Sequence, residues 1–160
     1  MAFLLQQQGF SAKATSQYDV AADFFARAAQ SYGESLPALE SIVQQRDELS
    51  SVVPQEARLV YAQAATRAEV DVEFAAALTA EFTGGAKLYR VVHELLTFGD
   101  DITERDNERW ATLLADANQD LQDGLERLDD VQALAPELWR LVEGRRLGFE
   151  NWQDLYEDMQ

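Results

Sequence analysis

An apolar stripe with helical spacing between residues 110 and 135 is the feature that most constrains the fold of this chain. Its members alternate at intervals of four and three residues, and they are Trp110, Leu114, Ala117, Leu121, Gly124, Leu128, Val131 and Ala135. This spacing keeps one face of a helix against one neighbour, while acidic residues between Asp116 and Asp130 lie on the opposite face. The sequence therefore predicts a long helix over about 103–135 that packs along one side.

Helical spacing of apolar residues continues through the rest of the chain, and proline or glycine separates its segments. Pro54 suits the first turn of a second long helix, which we expect over about 54–83 because Gly84 and Gly85 follow it. Shorter helices are expected to begin at Ser16, at Ser35 and after the glycine pair. The valine-rich segments all keep helical periodicity, so no strand is expected. We therefore predict an all-α, single-domain bundle of six or seven helices over residues 1–160.

The two ends of the chain differ from this central part. Residues 1–15 are expected to form an N-terminal arm, and residues 136–160 an apolar C-terminal helical segment that begins at Pro136. This segment is predicted to consist of two short helices, which cannot hide so much apolar surface from water by themselves. We therefore expect it to dock on the body of the protein or on a partner. The interface residues that we predict are Trp139, Phe149, Trp152, Tyr156 and Met159.

The balance of charge excludes some classes of partner. The chain has 29 acidic and 13 basic residues, a net charge of −16, and its only lysines are Lys13 and Lys87. With no basic stripe to neutralise phosphates, we expect no direct binding to nucleic acid and no adsorption to an anionic membrane. An acidic surface poor in lysine is typical of proteins adapted to high salt, although an ordinary acidic protein is the alternative.

Signatures of catalysis are mostly missing from the sequence. There is no cysteine, and the single histidine, His93, has Arg90 three residues before it where a di-iron bundle needs glutamate. Glu126 and Asp129 match the second half of a magnesium-binding pattern whose first half, Glu-x-x-Glu, is absent. The acidic cluster formed by residues 100, 101, 104 and 106 is explained by helix capping. We therefore predict no catalytic, cofactor-binding or metal-binding residue.

The one adjacent pair of basic residues leaves two interpretations open. Arg145 and Arg146 lie between two glycines and close to aromatic residues. They either contact carbonyl groups of the preceding helix or bind an acidic partner, which includes the acidic helix of the same chain.

These observations favour a non-enzymatic structural or protein–protein interaction protein, a subunit of a homo-oligomer or larger assembly such as a virus or phage particle. One alternative is an acidic binding module that masks a basic partner, or mimics the charge of nucleic acid, through the face from Asp116 to Asp130. Another is a metal-dependent hydrolase that uses helix carboxylates. The N-terminus lacks a signal-peptide pattern and no segment has the length of a membrane span, so we expect a cytoplasmic location or one within an assembled particle.

Overall fold

The computed structural model describes residues 1–98 and 102–159, and within them the chain is helical with no strand. The helices are α1 (Ala2–Ala14), α2 (Tyr18–Gly33), α3 (Leu36–Val52), α4 (Gln55–Phe98), α5 (Glu104–Leu134) and α6 (Trp139–Glu157), and a 3-10 turn at Pro136–Leu138 precedes α6. The predicted all-α bundle is confirmed as a fold class, while the division of the chain into helices differs from the prediction at several points.

Helix α5 packs along α4 through the predicted stripe. All eight members of the stripe are buried, as expected, but the face that they form meets α6 as well as α4, because Gly124 lies against both Ala80 and Phe149. The helix begins as predicted: the Thr103 hydroxyl accepts from the Asp106 amide, and the Asp106 carboxylate accepts from the Thr103 amide. This reciprocal capping box satisfies two amides at the helix start. Of the acidic cluster predicted to cap this helix, Asp100 and Asp101 lie outside the described residues.

The long helix does not end at the glycine pair, so this part of the prediction is wrong. Helix α4 runs through both glycines and is 44 residues long. Both glycines are buried at close contacts with neighbouring helices. A Cβ atom at Gly84 would lie 3.0 Å from the carbonyl oxygen of Ala117, and one at Gly85 would lie 2.7 Å from the ring of Trp152. Tertiary packing here outweighs the low helix propensity of glycine, which costs about 1 kcal/mol per residue relative to alanine.

Residues 1–15, which we expected to form an arm, instead contain α1, which packs on α2. The predicted helix start at Ser16 is also wrong. Ser16 lies in the turn between these two helices with a φ angle of 59°, in the left-handed region, and α2 begins at Tyr18 without a side-chain cap. Burial of small or apolar side chains of α1, including Leu5 and Ala12, orders this segment.

The C-terminal segment also differs from its prediction, because its helix runs through glycines at which we expected a break. A single helix, α6, runs through both Gly144 and Gly148, where we expected two short helices. This helix contacts α5 and α4 through the side chains of Val142, Phe149 and Trp152, all of which are buried.

Aromatic residues from three helices, α2, α4 and α6, fill the centre of the bundle. The ring centroid of Trp152 lies 5.3 Å from those of both Phe25 and Tyr89, and Phe25 also stacks on Phe82 at 5.7 Å. Such pairs add roughly 0.5–1.5 kcal/mol each beyond their buried area. Helix α6 therefore completes a core that α2 and α4 begin.

Candidate interaction surfaces

The structure separates the five predicted interface residues. Phe149 and Trp152 are 0% and 4% exposed and belong to the core of this chain, so neither is available to a partner in this conformation. Trp139 is 50% exposed on the first turn of α6. Tyr156 and Met159 are half-buried and line a cleft of about 500 Å³ beside Trp110. The five residues therefore do not form one exposed patch.

Glycines explain why Phe149 and Trp152 lie inside the molecule. A Cβ atom at Gly124 of α5 would be 2.5 Å from the Phe149 ring, just as one at Gly85 of α4 would meet Trp152. Each ring thus occupies a space that a neighbouring helix leaves open by lacking a side chain. The apolarity of α6 could be read from the sequence, but the glycines opposite it, on α4 and α5, could be paired with it only in three dimensions.

A buried carboxylate under α6 was missed by the sequence reasoning. Glu81 is 1% exposed, its Oε1 accepts from Trp152 Nε1 at 3.4 Å, and its Oε2 lies 3.6 Å from Arg145 Nη1. Oε2 has no hydrogen bond within the described residues. Burial raises the pKa of Glu81 to about 6, although the Arg145 guanidinium and the Trp152 hydrogen bond oppose this effect.

A signal for Glu81 was present in the sequence. Phe74, Leu78, Glu81, Gly85 and Leu88 are spaced by four, three, four and three residues, which is the spacing of an inward-facing stripe on α4. A carboxylate at such a position is expected to be buried with a partner.

Two further polar groups lie near this carboxylate. Tyr32 Oη donates to Oε1 of the buried Gln6 at 3.2 Å, and burial raises the pKa of Tyr32. The Tyr32–Gln6 hydrogen bond joins α2 to α1, and the Arg145–Glu81 ion pair joins α6 to α4.

The adjacent arginines of α6 bind acidic residues of the same chain. Arg146 pairs with Asp129 on α5, and Arg145 pairs with Glu81 on α4. The possibility that these arginines bind the acidic helix of their own chain is therefore confirmed for Arg146.

The acidic face of α5 is partly neutralised by such pairs. Lys87 Nζ lies 2.7 Å from Asp120 Oδ2, in addition to the Arg146 pair with Asp129. The remaining carboxylates of this face are exposed, and they are Asp116, Asp123, Glu126 and Asp130. Four of the six carboxylates of this face are thus exposed and lie outside these two ion pairs.

A second acidic surface lies in a groove between α3 and α4. Val43 and Val72 lie in this groove of about 450 Å³, and five carboxylates surround it, from Glu40, Asp47, Glu48, Glu69 and Glu73. Glu73 is held by Arg127 of α5 at 2.8 Å. Among the residues that the structure describes, no three His, Asp or Glu side chains are placed to hold a metal ion.

Helix α3 has the least burial of any α-helix in the bundle. All 17 of its residues are described and none is buried. One flank is half-buried and faces α4, and we call it the inner stripe: residues 36, 39, 43, 46, 50 and 53. Arg46 of this stripe donates to the carbonyl oxygen of Ala64 at 2.5 Å, which links the two helices.

A second stripe on α3 faces solvent. Its members are spaced by four, three, four and three residues, and we call it the outer stripe: Ala38, Ile42, Gln45, Leu49 and Val52. Ile42, Leu49 and Val52 are 38%, 45% and 76% exposed. At 3.6 residues per turn, the outer stripe lies about a third of a turn from the inner stripe, on the flank opposite the acidic groove. The division was not predicted, because apolar residues of the two stripes, such as Ile42 and Val43, are adjacent in the sequence.

Comparison with protein-family models, with curated proteins and with solved structures finds no match to this chain. Within the described residues, no helix has an apolar stretch of the length needed to cross a membrane.

Proposed function

We propose that this protein is a non-enzymatic structural subunit that associates with copies of itself, alone or within a larger assembly such as a viral or phage particle. The observation that carries this proposal is the outer stripe of α3. A regular row of apolar side chains on a helix is normally covered, and this row is exposed on a helix that lacks any buried residue. A second helix laid along the stripe would cover it.

The distribution of charge supports association at this place. Residues 41–68, which include most of α3 and the start of α4, contain three acidic and three basic residues and are neutral. The rest of the chain carries the whole net charge of −16. Helix α3 is acidic on the flank that lines the groove, so repulsion between two copies is weaker for contact through the outer stripe on the opposite flank.

Further apolar side chains are exposed on the adjoining part of α4. Leu59 and Val60 are 68% and 65% exposed, close to the turn that joins the two helices. An isolated helical hairpin has too little apolar contact to be firmly ordered in water, so a covering partner would stabilise it.

Light scattering coupled to size-exclusion chromatography tests the proposal on the full chain. We expect a mass of two or more times the 18.0 kDa chain, and loss of the larger species in an Ile42→Gln/Leu49→Gln variant. The matched control is Leu96→Gln/Leu147→Gln, which alters two leucines that are 68% and 61% exposed on other helices. A wild-type chain that remains monomeric at every concentration, or a control variant that dissociates equally, would overturn the proposal.

A second candidate function is an acidic module that masks a basic partner, which the groove between α3 and α4 favours. Its five carboxylates surround an apolar floor, an arrangement that suits a basic helix with one apolar face. Titration with a cationic amphipathic peptide tests it. Binding should weaken steeply with salt and with Glu40→Gln/Asp47→Asn, but not with the distant pair Glu137→Gln/Glu150→Gln. Equal effects of both pairs would indicate non-specific attraction and reject this candidate.

A further inference from the structure

We infer that two copies of this chain pair through α3 in antiparallel orientation, with the two-fold axis passing beside Gln45. This inference rests on the proposed function and adds the geometry of the contact. It follows from the positions of the residues in the outer stripe, from their volumes and from the place of the acidic body relative to α3.

The outer stripe is nearly symmetric about its central residue. Ala38 and Val52 lie seven residues before and after Gln45, and Ile42 and Leu49 lie three before and four after it. A surface that meets its own copy across a two-fold axis must be complementary to itself, so that residue i meets j and residue j meets i. The outer stripe has this property in an antiparallel pair.

The volumes of the side chains favour the antiparallel arrangement over the parallel one. In an antiparallel pair, Ala38 of each copy meets Val52 of the other, and Ile42 meets Leu49, so the two ends of the contact are equal in volume. A parallel pair would place Ala38 opposite Ala38 and leave a gap at one end of the contact. Uneven filling of this kind loses packing energy and leaves space that must be filled by water or by a shift of the helices.

Gln45 suits the position on the axis. Its side-chain amide donates to Ser41 Oγ of the same helix at 3.2 Å, and its second N–H and its carbonyl oxygen can hydrogen-bond the same group of another copy. A single polar residue in an otherwise apolar helical contact is an established way of fixing its register, at some cost in stability.

The place of the acidic body also favours the antiparallel pair. Helix α2 packs on α4 around Thr79 to Arg90, and α6 meets α4 at Gly85, so both contacts lie beyond the N-terminal end of α3. The end of α5, in contrast, lies beside α4 at the level of α3. An antiparallel pair sends the two bodies to opposite ends of the contact. A parallel pair would bring two bodies of high negative charge side by side.

Cysteine cross-linking tests this geometry cleanly, because the chain has no cysteine of its own. We expect full-length Gln45→Cys to form a disulfide-linked dimer in a glutathione redox buffer. The matched control is Gln44→Cys, an exposed neighbour on the acidic flank. Because the paired state holds two thiols at a high effective concentration, Gln45→Cys should react about ten-fold faster or more than Gln44→Cys. The geometry of a disulfide requires the two Cα atoms to lie about 4.4–6.8 Å apart.

A mixing experiment distinguishes the two orientations. Ile42→Cys and Leu49→Cys proteins, one carrying a purification tag that changes its mass, should cross-link to each other when mixed and much less when incubated alone. Self-cross-linking of each protein alone would indicate a parallel pair and overturn the inference.

Failure of the antiparallel contact and failure of the proposed function would give different experimental results. If light scattering finds an oligomer of the wild-type chain but Gln45→Cys reacts no faster than Gln44→Cys, the antiparallel contact is wrong and the proposed function stands. A wild-type chain that is monomeric at every concentration would reject both.

Discussion

Gly124 is a position at which one missing side chain decides how two helices pack. A Cβ atom there would lie 2.5 Å from the ring of Phe149 and 3.2 Å from Ala80, and Phe149 is fully buried, so its ring has little room to move. Gly124→Ala should therefore lower the free energy of unfolding by about 1–3 kcal/mol through overpacking, measured by urea unfolding. This loss would occur although alanine favours the helix more than glycine does.

Gly144 provides the matched control for this prediction. It also lies within a helix, but a Cβ atom there would meet nothing within 4 Å. Gly144→Ala should raise the free energy of unfolding by up to about 1 kcal/mol through helix propensity alone. If both alanine variants were stabilised to the same extent, the close packing at Gly124 would be disproved.

Glu81 gives the stability of the chain a specific dependence on pH. Its pKa rises from 4.5 to about 6 in the folded chain, so between these values the folded state keeps a proton that the unfolded state has released. Glu81 therefore makes the free energy of unfolding fall as the pH rises through this window. Above it, Glu81→Gln should be more stable than the wild type by up to about 2 kcal/mol.

The difference in the free energy of unfolding between Glu81→Gln and the wild type, measured by urea unfolding as a function of pH, separates this effect from those of the other carboxylates. It should be close to zero below pH 4.5 and reach its full size above about pH 6. Glu150→Gln removes the same charge from the exposed part of α6 and serves as the control. A Glu81→Gln variant whose difference from the wild type does not grow over this range would show that burial does not raise the pKa.

At the scale of the element, α6 carries two tryptophans with opposite surroundings. Trp152 packs on Phe25, Tyr89 and Gly85, whereas Trp139 is half exposed. Trp152→Ala should lower the free energy of unfolding by about 3–5 kcal/mol because it opens a cavity in the core. Trp139→Ala should change it by less than about 0.5 kcal/mol in the isolated chain. Similar losses in guanidinium unfolding would mean that α6 is not docked as described.

How far each element could be predicted depended on whether its signal was local. Helix α5 was predicted almost to its ends, because a stripe with regular spacing and a capping threonine are properties of the segment itself. The continuation of α4 through Gly84 and Gly85 was not, because the same glycines are consistent with a helix end or with close packing. Which of the two applies depends on Trp152 and Leu121, which are distant in sequence.

The candidate surfaces were predicted less well for a related reason. Their apolarity indicated that Phe149 and Trp152 are shielded from water. The sequence does not distinguish burial in the core of the same chain from burial against a partner, because both require the same kind of side chain. On α3, the outer and inner stripes are interleaved, and their residues look like a single broad apolar side until the direction to α4 is known.

At the scale of the whole molecule, the net charge of −16 should make stability depend on salt. Raising the salt from about 0.1 M to about 1 M shortens the screening length from about 10 Å to about 3 Å and weakens self-repulsion. We expect the midpoint of urea unfolding to rise over this range. The rise should be smaller in a variant that neutralises the exposed acids Asp116, Asp123 and Glu126.

The same salt series bears on the two candidate functions. Pairing of two acidic chains through α3 should tighten as salt increases, whereas binding of a basic partner should weaken. Stability that is unchanged between low and molar salt would contradict the expectation of adaptation to high salt.

The spaces that Gly124 and Gly85 leave for Phe149 and Trp152 have a consequence for folding during synthesis, because the rings are made after the helices that receive them. Helices α1 to α5 leave the ribosome first, and until residues 149 and 152 follow, the spaces at Gly124 and Gly85 lack the rings that fill them. At about 5–20 residues per second, the unfinished core is exposed for a few seconds in every round of translation. A newly made chain is therefore most prone to aggregation just before α6 is synthesised. A pause in translation before that point would prolong this period.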